Sequence, residues 1–525
     1  MDFLSVLLEH YHRTEKDLEA RHASGSFASL SRPDGFPGFS VVIGRLKKAA
    51  SDKEKCVIYG DYDTDGLTST AIRKRTLDER KVPCGFFIPS RYHEGYGLNE
   101  KRVRQFKEKG YSLIICVDNG RTAFSSIDLA LSLGREVIVI DHHQKKDNLP
   151  STPYLFSQIT DAFVPYNCSA ASLALFVSSA LLNRFDPYFV TLAGIAVFSD
   201  VRPLIGNNLF FAQRRLSNRN KYRYPNLFTL LGNPGEVGYE DVSYTLIPAL
   251  NSPGRALTAT RSTIDACNFL LERDDSPKRK QLADFLLSAN WQRKKRTASL
   301  VPSKGTQFSS EHALCFIAEC LSGRNGLLAN KVRKKENRPV GVFSPSERDK
   351  DVLVGSFRCP EGYSLSPLLE KKEARALNEG GHERAIGRSI RKKDYIQIAT
   401  DFVSLREKQS LSLSSLKDES IPILLSDVNK ENYSLLSRFE PFGEGFPSPV
   451  FSVDVDPSWG KVSSNGKSYL FLDPVSGGKA IYFGNLDCLK DGRYSYYTLK
   501  GKFKSSFFRG KQEYSLLSEE IVPHL

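Results

Sequence analysis

KCVIYGDYDTDGLTST, residues 55–70, decides how the rest of this chain is read. Its opening residues are apolar and β-favouring, which predicts a buried strand. Asp61, Asp63 and Asp65 then alternate, Gly66 closes the run, and a helical pattern follows. The spacing resembles an EF-hand loop, but the ligating Glu that such a loop needs is replaced by Ile72. A strand that ends in clustered carboxylates and feeds a helix is instead the geometry of an α/β site, where ligands sit beyond the carboxyl ends of parallel strands.

Working outward, the same pattern repeats. Strands are predicted at VIYG, CGFFIP (84–89), SLIICV (112–117) and EVIVI (136–140), with helices at 67–80, 99–109 and 123–134. Alternating β and α segments imply a parallel sheet covered on both faces. SLIICV runs into Asp118, and EVIVI runs into Asp141, His142 and His143. Two further helices follow at 169–185 and 187–199, the second ending at Asp200. Salt bridges at a domain interface would not explain why the acids sit at strand ends. Convergence of Asp61, Asp63, Asp65, Asp118, Asp141 and Asp200 with His142 and His143 is therefore expected.

Two like charges about 4 Å apart cost about 4 kcal/mol at an effective dielectric near 20. Such a set stays ionised only with cations among it. Carboxylates with a little imidazole suit Mn²⁺ or Mg²⁺, and two such ions would serve an in-line phosphoryl displacement.

Composition narrows the class. The chain has 525 residues and a net charge of +14, from 74 Lys and Arg against 60 Asp and Glu, which suits a polyanionic partner. Nine cysteines are scattered with no C-x-x-C pair, so a disulfide scaffold and a structural zinc site are excluded. MDFLSVLLEHYH lacks a cationic leader, and the apolar run 170–182 is too short to span a bilayer. A reduced cytoplasmic protein without a membrane segment is expected.

A basic helix is predicted at 207–222, and 256–300 reads as helical, ending in WQRKKR. VPSKGTQFSS (301–310) reads as a linker. A second α/β unit spans about 311–400, with strands at HALCFIA, PVGVF and DVLVGSF, and GGHERAIGRSI (380–390) is read as a loop. Arg91, Arg255 and Arg358 lie in Gly- or Ser-containing loops suited to phosphate oxygens, and His382 follows two glycines. From Pro449, five short strands suit a small β-barrel such as an OB-fold. Phe503, Phe507, Phe508 and Tyr514 interleave there with Lys502, Lys504, Arg509 and Lys511, the makings of a single-strand stacking platform, although about half of them are needed to fill the barrel.

DYDTDG, VDNG (117–120), DHH (141–143) and SDV with Asp200 resemble the four motifs of the DHH phosphoesterase superfamily. SRYHEGYGL, NSPGR, GSFR, GGHERAIG and FEPFGEGFPSPVF (439–451) are similar to those of its RecJ branch of single-strand-specific 5′→3′ DNA exonucleases. The resemblance implies a multidomain α/β fold. Its parts are an N-terminal extension (1–50), a parallel-sheet DHH domain (51–225), a long helical connector (226–305), a smaller DHH-associated α/β domain (306–403), a connector (404–435) and a C-terminal OB-fold-like β-barrel (436–525). It also implies that Asp63, Asp65, Asp118, His142 and Asp200 hold two Mn²⁺ or Mg²⁺ ions and that His143 lies by the scissile phosphate, with Asp141 and Asp61 in the catalytic set. Arg91, Ser356 and Arg358 would anchor the 5′ end, and Arg255 and His382 would touch the substrate backbone.

This sequence departs from the pattern at Tyr59, where some members carry a His ligand, which points to weak or substrate-dependent binding of one ion. It also departs at Arg121, Glu383, Arg384 and Phe446, and its N-terminal region is short.

The expected activity is therefore release of mononucleotides from single-stranded DNA in repair and recombination. The enzyme would be a monomer, working with a single-strand-binding protein or a helicase. Two alternatives are a DHH-type phosphodiesterase on short oligoribonucleotides or small nucleotides, whose relatives usually lack the OB segment, and a non-catalytic nucleic-acid scaffold, whose relatives lose ligand residues.

Overall fold

The computed structural model describes residues 2–22, 27–30, 33–35, 38–143, 149–157, 167–214, 216, 224–232, 237–255, 261–272, 276–298, 306–360, 363–365, 376–382, 384–410, 420–463, 468–483, 489, 494–508 and 511–525. The chain divides into two compact units, one of Leu30–Leu416 and one of Met1–Ser29 with Lys417–Leu525.

The larger unit is built first on a five-stranded parallel sheet in the order β2-β1-β3-β4-β5. Its strands are β1 (Cys56–Tyr59), β2 (Cys84–Phe87), β3 (Leu113–Val117), β4 (Glu136–Asp141) and β5 (Tyr154–Phe156). All residues of β1 and β3 are buried, as a sheet covered on both faces requires. Side chains alternate faces: Ile58, Ile115, Ile138 and Ile140 enter one core, while Val57, Ile114, Val137 and Val139 enter the other. Each such side chain contributes about 1.5–3 kcal/mol of burial.

Helix starts follow their side chains. Asp63 caps Thr64–Glu79 by accepting from Gly66 N, Ser169 caps Ala170–Leu182, and Asp186 caps Pro187–Ser199 with Pro187 at its first turn. Asn183 ends Ala170–Leu182 in the left-handed region at φ 59°. The basic helix expected over 207–222 is Gly206–Gln213; of residues 215–222, all but 216 lie outside the described ones.

The second sheet has six strands in the order β10-β11-β9-β8-β7-β6. They are β6 (Phe308–Ser309), β7 (Leu314–Ile317), β8 (Val340–Pro345), β9 (Val352–Arg358), β10 (Ala376–His382) and β11 (Ala385–Arg391). The helix Asn325–Glu336 covers one face through Leu328 and Ala329. Tyr395–Ser410 covers the other through Ile398, Ala399 and Phe402. The segment 380–390 corrects the loop expectation. It forms most of an antiparallel hairpin in which Gly381 pairs with Ile386 and His382 with Ala385. Ile386 and Ile390 both enter the core, and this burial outweighs the turn propensity of the glycines.

The smaller unit carries a seven-stranded sheet in the order β12-β13-β17-β18-β16-β15-β14. Its strands are β12 (Ile421–Pro422), β13 (Phe451–Val455), β14 (Gly460–Val462), β15 (Tyr469–Leu472), β16 (Lys479–Tyr482), β17 (Tyr496–Phe508) and β18 (Lys511–His524). Phe3, from the helix Phe3–His10, stacks on Phe451 and Phe503 at 5.8 and 5.7 Å. Phe503 is therefore a core residue and not part of a stacking platform. Tyr514 lies tilted against Tyr433, and the Phe507 and Phe508 side chains lie outside the described residues. Phe446, one of the departures, receives Tyr11 at 4.4 Å and the Arg21 guanidinium at 3.9 Å.

Candidate metal and phosphate site

Beyond the carboxyl edge of the first sheet, the strand ends meet. Asp61 follows β1, Asp118 follows β3, and Asp141 ends β4. Asp118 sits in the left-handed region at φ 62°, a conformation that Asp tolerates better than most residues. Asn119 fixes the turn by donating to the carbonyls of Tyr59, Gly60 and Val117. Gly66 is required where it stands, since a Cβ there would lie 2.6 Å from Asp61 Cβ.

His142 lies at the centre. Its Nε2 is 3.0 Å from Asp118 Oδ1 and 3.4 Å from Asp65 Oδ2, and its Nδ1 is 3.5 Å from Asp200 Oδ2. Both Asp65 oxygens accept backbone N–H groups at 2.8 Å, from Ala170 and Ala171 in the first turn of Ala170–Leu182. Asp141 faces inward: it accepts from the backbone N–H groups of Arg121, His142 and His143, and pairs with His143 Nδ1 at 2.7 Å. The Tyr96 hydroxyl lies 3.0 Å from His143 Nδ1.

The electrostatics follow from this crowding. Burial, then the neighbouring carboxylates, push Asp65 and Asp118 well above the usual carboxylate range, and burial with Asp63 pushes Asp61 up to about 8. Burial drives His142 down to about 3. Burial alone would lower His143, yet the Asp141 hydrogen bond and charge carry it up to about 9. Burial would likewise raise Asp141, and its bond to His143 holds it far below.

These observations test the fit of a divalent ion. Asp61 Oδ1 and Asp118 Oδ1 are buried without an aligned hydrogen-bond partner among the described residues. Asp61, Asp63 and Asp118 form one group whose ligand atoms lie within 4.8 Å of one another; Asp65, His142 and Asp200 form a second, and Asp118, His142 and His143 a third. Oxygen-rich ligands with one imidazole and mutually raised carboxyls fit Mn²⁺ or Mg²⁺. Tyr59 is turned away, its ring in the core against Phe87 and its hydroxyl donating to Gly97 O, so position 59 offers no ligand atom.

The expected phosphate-binding residues gather at the turn before Asn325–Glu336. Arg255 Nη1 donates to Gly323 O at 3.3 Å, and a Cβ on Gly323 would lie 3.0 Å from Arg91 Cδ. A Cβ on Gly326 would lie 2.7 Å from Arg358 Nη2 and 3.2 Å from Ser356 Oγ. Arg91 also lies over the Tyr62 ring at 4.3 Å. His382 ends β10, and its side chain lies outside the described residues, as does Glu383.

Arg121 aside, which the sequence marks as a departure, several residues here were not singled out from the sequence. Asn251 accepts from Thr64 N and Oγ1 at 2.8 and 3.0 Å, so the NSPGR segment braces the Asp61–Asp65 loop. Arg348 donates to the carbonyls of Tyr92 and Arg91 at 3.0 and 2.8 Å. Arg121 reaches His143 O at 2.9 Å, and Arg202 bonds both Asp200 and His142. Only the adjacency of Arg202 to SDV and of Arg121 to VDNG was available as a signal.

Residues 55–188 match the family model described as the DHH family, N-terminal domain. The chain is 29% identical over 441 residues to the single-stranded-DNA-specific exonuclease RecJ of Bacillus subtilis, covering 81% of this chain and 55% of that relative's length. It is 26% identical over 567 residues to the RecJ of Salmonella typhimurium, covering 99% of this chain and 96% of that one. Among solved structures, RecJ of Thermus thermophilus in complex with Mn²⁺ shares the fold at a TM-score of 0.77 and 21% identity, over 99% of this chain and 76% of that one.

Proposed function

From its membership of the RecJ family within the DHH phosphoesterase superfamily, we infer that this chain is a metal-dependent exonuclease that removes mononucleotides 5′→3′ from single-stranded DNA. One observation carries the reading: Asp65, Asp118 and Asp200 each approach His142 within 3.5 Å, a crowding of acid that stays fully ionised only with cations among it.

In this reading Asp61, Asp63 and Asp118 hold one ion, and Asp65, His142 and Asp200 hold the other. Bound Mn²⁺ or Mg²⁺ supplies Lewis acidity, lowering the pKa of a water and neutralising phosphate charge. The chain's own residues supply the rest. Asp141 accepts from His143 Nδ1 and keeps the imidazolium protonated and oriented, with Nε2 presented to the scissile phosphate. Arg91, Arg255, Ser356 and Arg358, gathered near Gly323 and Gly326, take the 5′ end and backbone of the strand, with His382 assigned to the same backbone. Hydrolysis forms a bond from water oxygen to phosphorus and breaks the bond to the 3′ oxygen of the departing nucleotide.

We assign residues 51–225 to the catalytic domain, 226–305 to the helical connector, 306–403 to the substrate-binding domain and 436–525 to an OB-fold-like domain that follows the strand. Residues 1–50 form an N-terminal extension and 404–435 a connector. No helix among the described residues is long and apolar enough to cross a membrane. A cytoplasmic monomer that takes its substrate from a single-strand-binding protein or a helicase completes the proposal.

The test is incubation with Mn²⁺ and labelled single-stranded DNA, duplex DNA and RNA, resolved by product length. Mononucleotide release from the 5′ end of single-stranded DNA, abolished in Asp118→Ala, is expected. Preference for dinucleotides over a 40-mer, or undiminished digestion by the variant, would overturn it.

A further inference from the structure

Arg202 stands among the ligand atoms as a cation of the chain itself. It donates from Nε to Asp200 Oδ2 at 2.5 Å, from Nη1 to Asn167 Oδ1 at 2.6 Å and from Nη2 to His142 Nδ1 at 2.6 Å. The backbone sets this up: Asp200 ends the helix Pro187–Ser199, and Val201 takes the left-handed region at φ 51°, costly for a β-branched residue. That turn lets the Arg202 side chain fold back on Asp200.

A guanidinium carries only donors, so His142 Nδ1 receives this bond on its lone pair. In the neutral ring the proton then sits on Nε2, the nitrogen facing Asp118 Oδ1 and Asp65 Oδ2. A cation ligated through Nε2 needs the lone pair there and the proton on Nδ1, where it would meet the guanidinium N–H head on. A cation ligated through Nδ1 needs the position that Nη2 fills. Either way, the Arg202 bond and ligation by His142 exclude each other.

Resting on the exonuclease reading above, we propose that Arg202 is an internal cation that competes with the divalent ion at the Asp65–His142–Asp200 group. Asp61, Asp63 and Asp118 share no bond with Arg202 among the described residues, so their group fills first. The second ion binds only as the guanidinium leaves His142 and keeps to Asp200 and Asn167. Occupancy is stepwise, and the residue acts on the ions as a positioning residue.

The test reads binding rather than turnover: Mn²⁺ titration followed by the electron paramagnetic resonance signal of the free ion. Wild-type protein is expected to show two unequal classes of site, and Arg202→Met to tighten the weaker class by about tenfold or more. Arg202→Lys, which keeps the charge but cannot bond Asp200, Asn167 and His142 together, should tighten the weaker class less than Arg202→Met does. An Arg202→Met isotherm superimposable on wild type, or weaker, overturns the proposal. Absence of Mn²⁺ binding to every form would instead overturn the exonuclease reading beneath it. A crystal of the wild-type protein with both ions bound gives a check that needs no variant. Arg202 is expected beyond hydrogen-bond distance of His142, and a retained bond there overturns the proposal.

Discussion

His143 Nδ1 lies 2.7 Å from Asp141 Oδ1, and among the described residues that carboxylate is otherwise hydrogen-bonded only to backbone N–H groups. Asp141 is thus a holder of His143. Replacing it with Asn should release the His143 imidazolium from about 9 toward the ordinary value near 6.5. NMR titration of the ring in metal-free protein reads this directly. The loss in turnover should be about 10²–10⁴-fold, with the alkaline limb of the pH profile moved to lower pH. An unchanged imidazole titration would refute the pairing.

The acid cluster makes metal-free stability depend on pH with a definite sign. Asp61, Asp65 and Asp118 are raised in the folded state, and so is His143, so above pH 6.5 the folded chain binds more protons than the unfolded one. Stability must then fall as pH rises. His142, lowered to about 3, acts in the opposite sense only below 6.5. Asp141 and Asp200, both depressed, are ionised in both states throughout this window. In EDTA the melting temperature should drop between pH 6.5 and 8, and Mn²⁺ should raise it more at pH 8 than at pH 6.5. A flat profile in EDTA would count against the cluster.

The strand-end acids were legible because β1, β3 and β4 are continuous apolar runs, and parallel strands share one carboxyl edge whatever the loops do. The residues that bind those acids to one another were not legible. Arg202 meets His142 across 60 positions, Thr64 meets Asn251 across 187, and Arg348 meets Tyr92 across 256. No local pattern marks such pairs, since each depends on how separate elements pack. The hairpin β10–β11 was hidden differently: its glycines carry a turn signal, and the burial of Ile386 and Ile390 that overrules them is a tertiary fact. Likewise, nothing within residues 1–29 announces that Phe3 completes an aromatic stack with Phe451 and Phe503.

Arg348 reaches from the turn after β8 to the loop that carries Arg91, bonding the carbonyls of Arg91 and Tyr92. Gly95 (φ 84°) keeps that approach open, since a Cβ there would lie 2.4 Å from Arg348 Nη2. Arg348→Ala removes two charge-assisted bonds, neither of them to an acid of the cluster, so it should loosen the placement of Arg91 and leave the ligand set intact. KM for a 5′-phosphorylated oligonucleotide should rise about tenfold, equivalent to about 1.4 kcal/mol, with kcat changed much less. Equal losses in kcat and kcat/KM would show that the latch acts on the chemistry instead.

Asp118→Asn should separate stability from activity. Asp118 sits at φ 62°, where Asn is at ease, and its Oδ1 lies 3.0 Å from His142 Nε2, a contact that an amide oxygen can keep. Removing its charge relieves the cost of burial and the repulsion from Asp65, Asp63, Asp61 and Asp200, which together hold the carboxyl well above its ordinary range. In EDTA at pH 8 the variant should be more stable than wild type by urea denaturation. Asp118 belongs to two of the three ligand groups, so Mn²⁺ affinity and turnover should fall by at least about 100-fold. A variant both less stable without metal and still active would mean that Asp118 is a structural residue, with the ions held elsewhere.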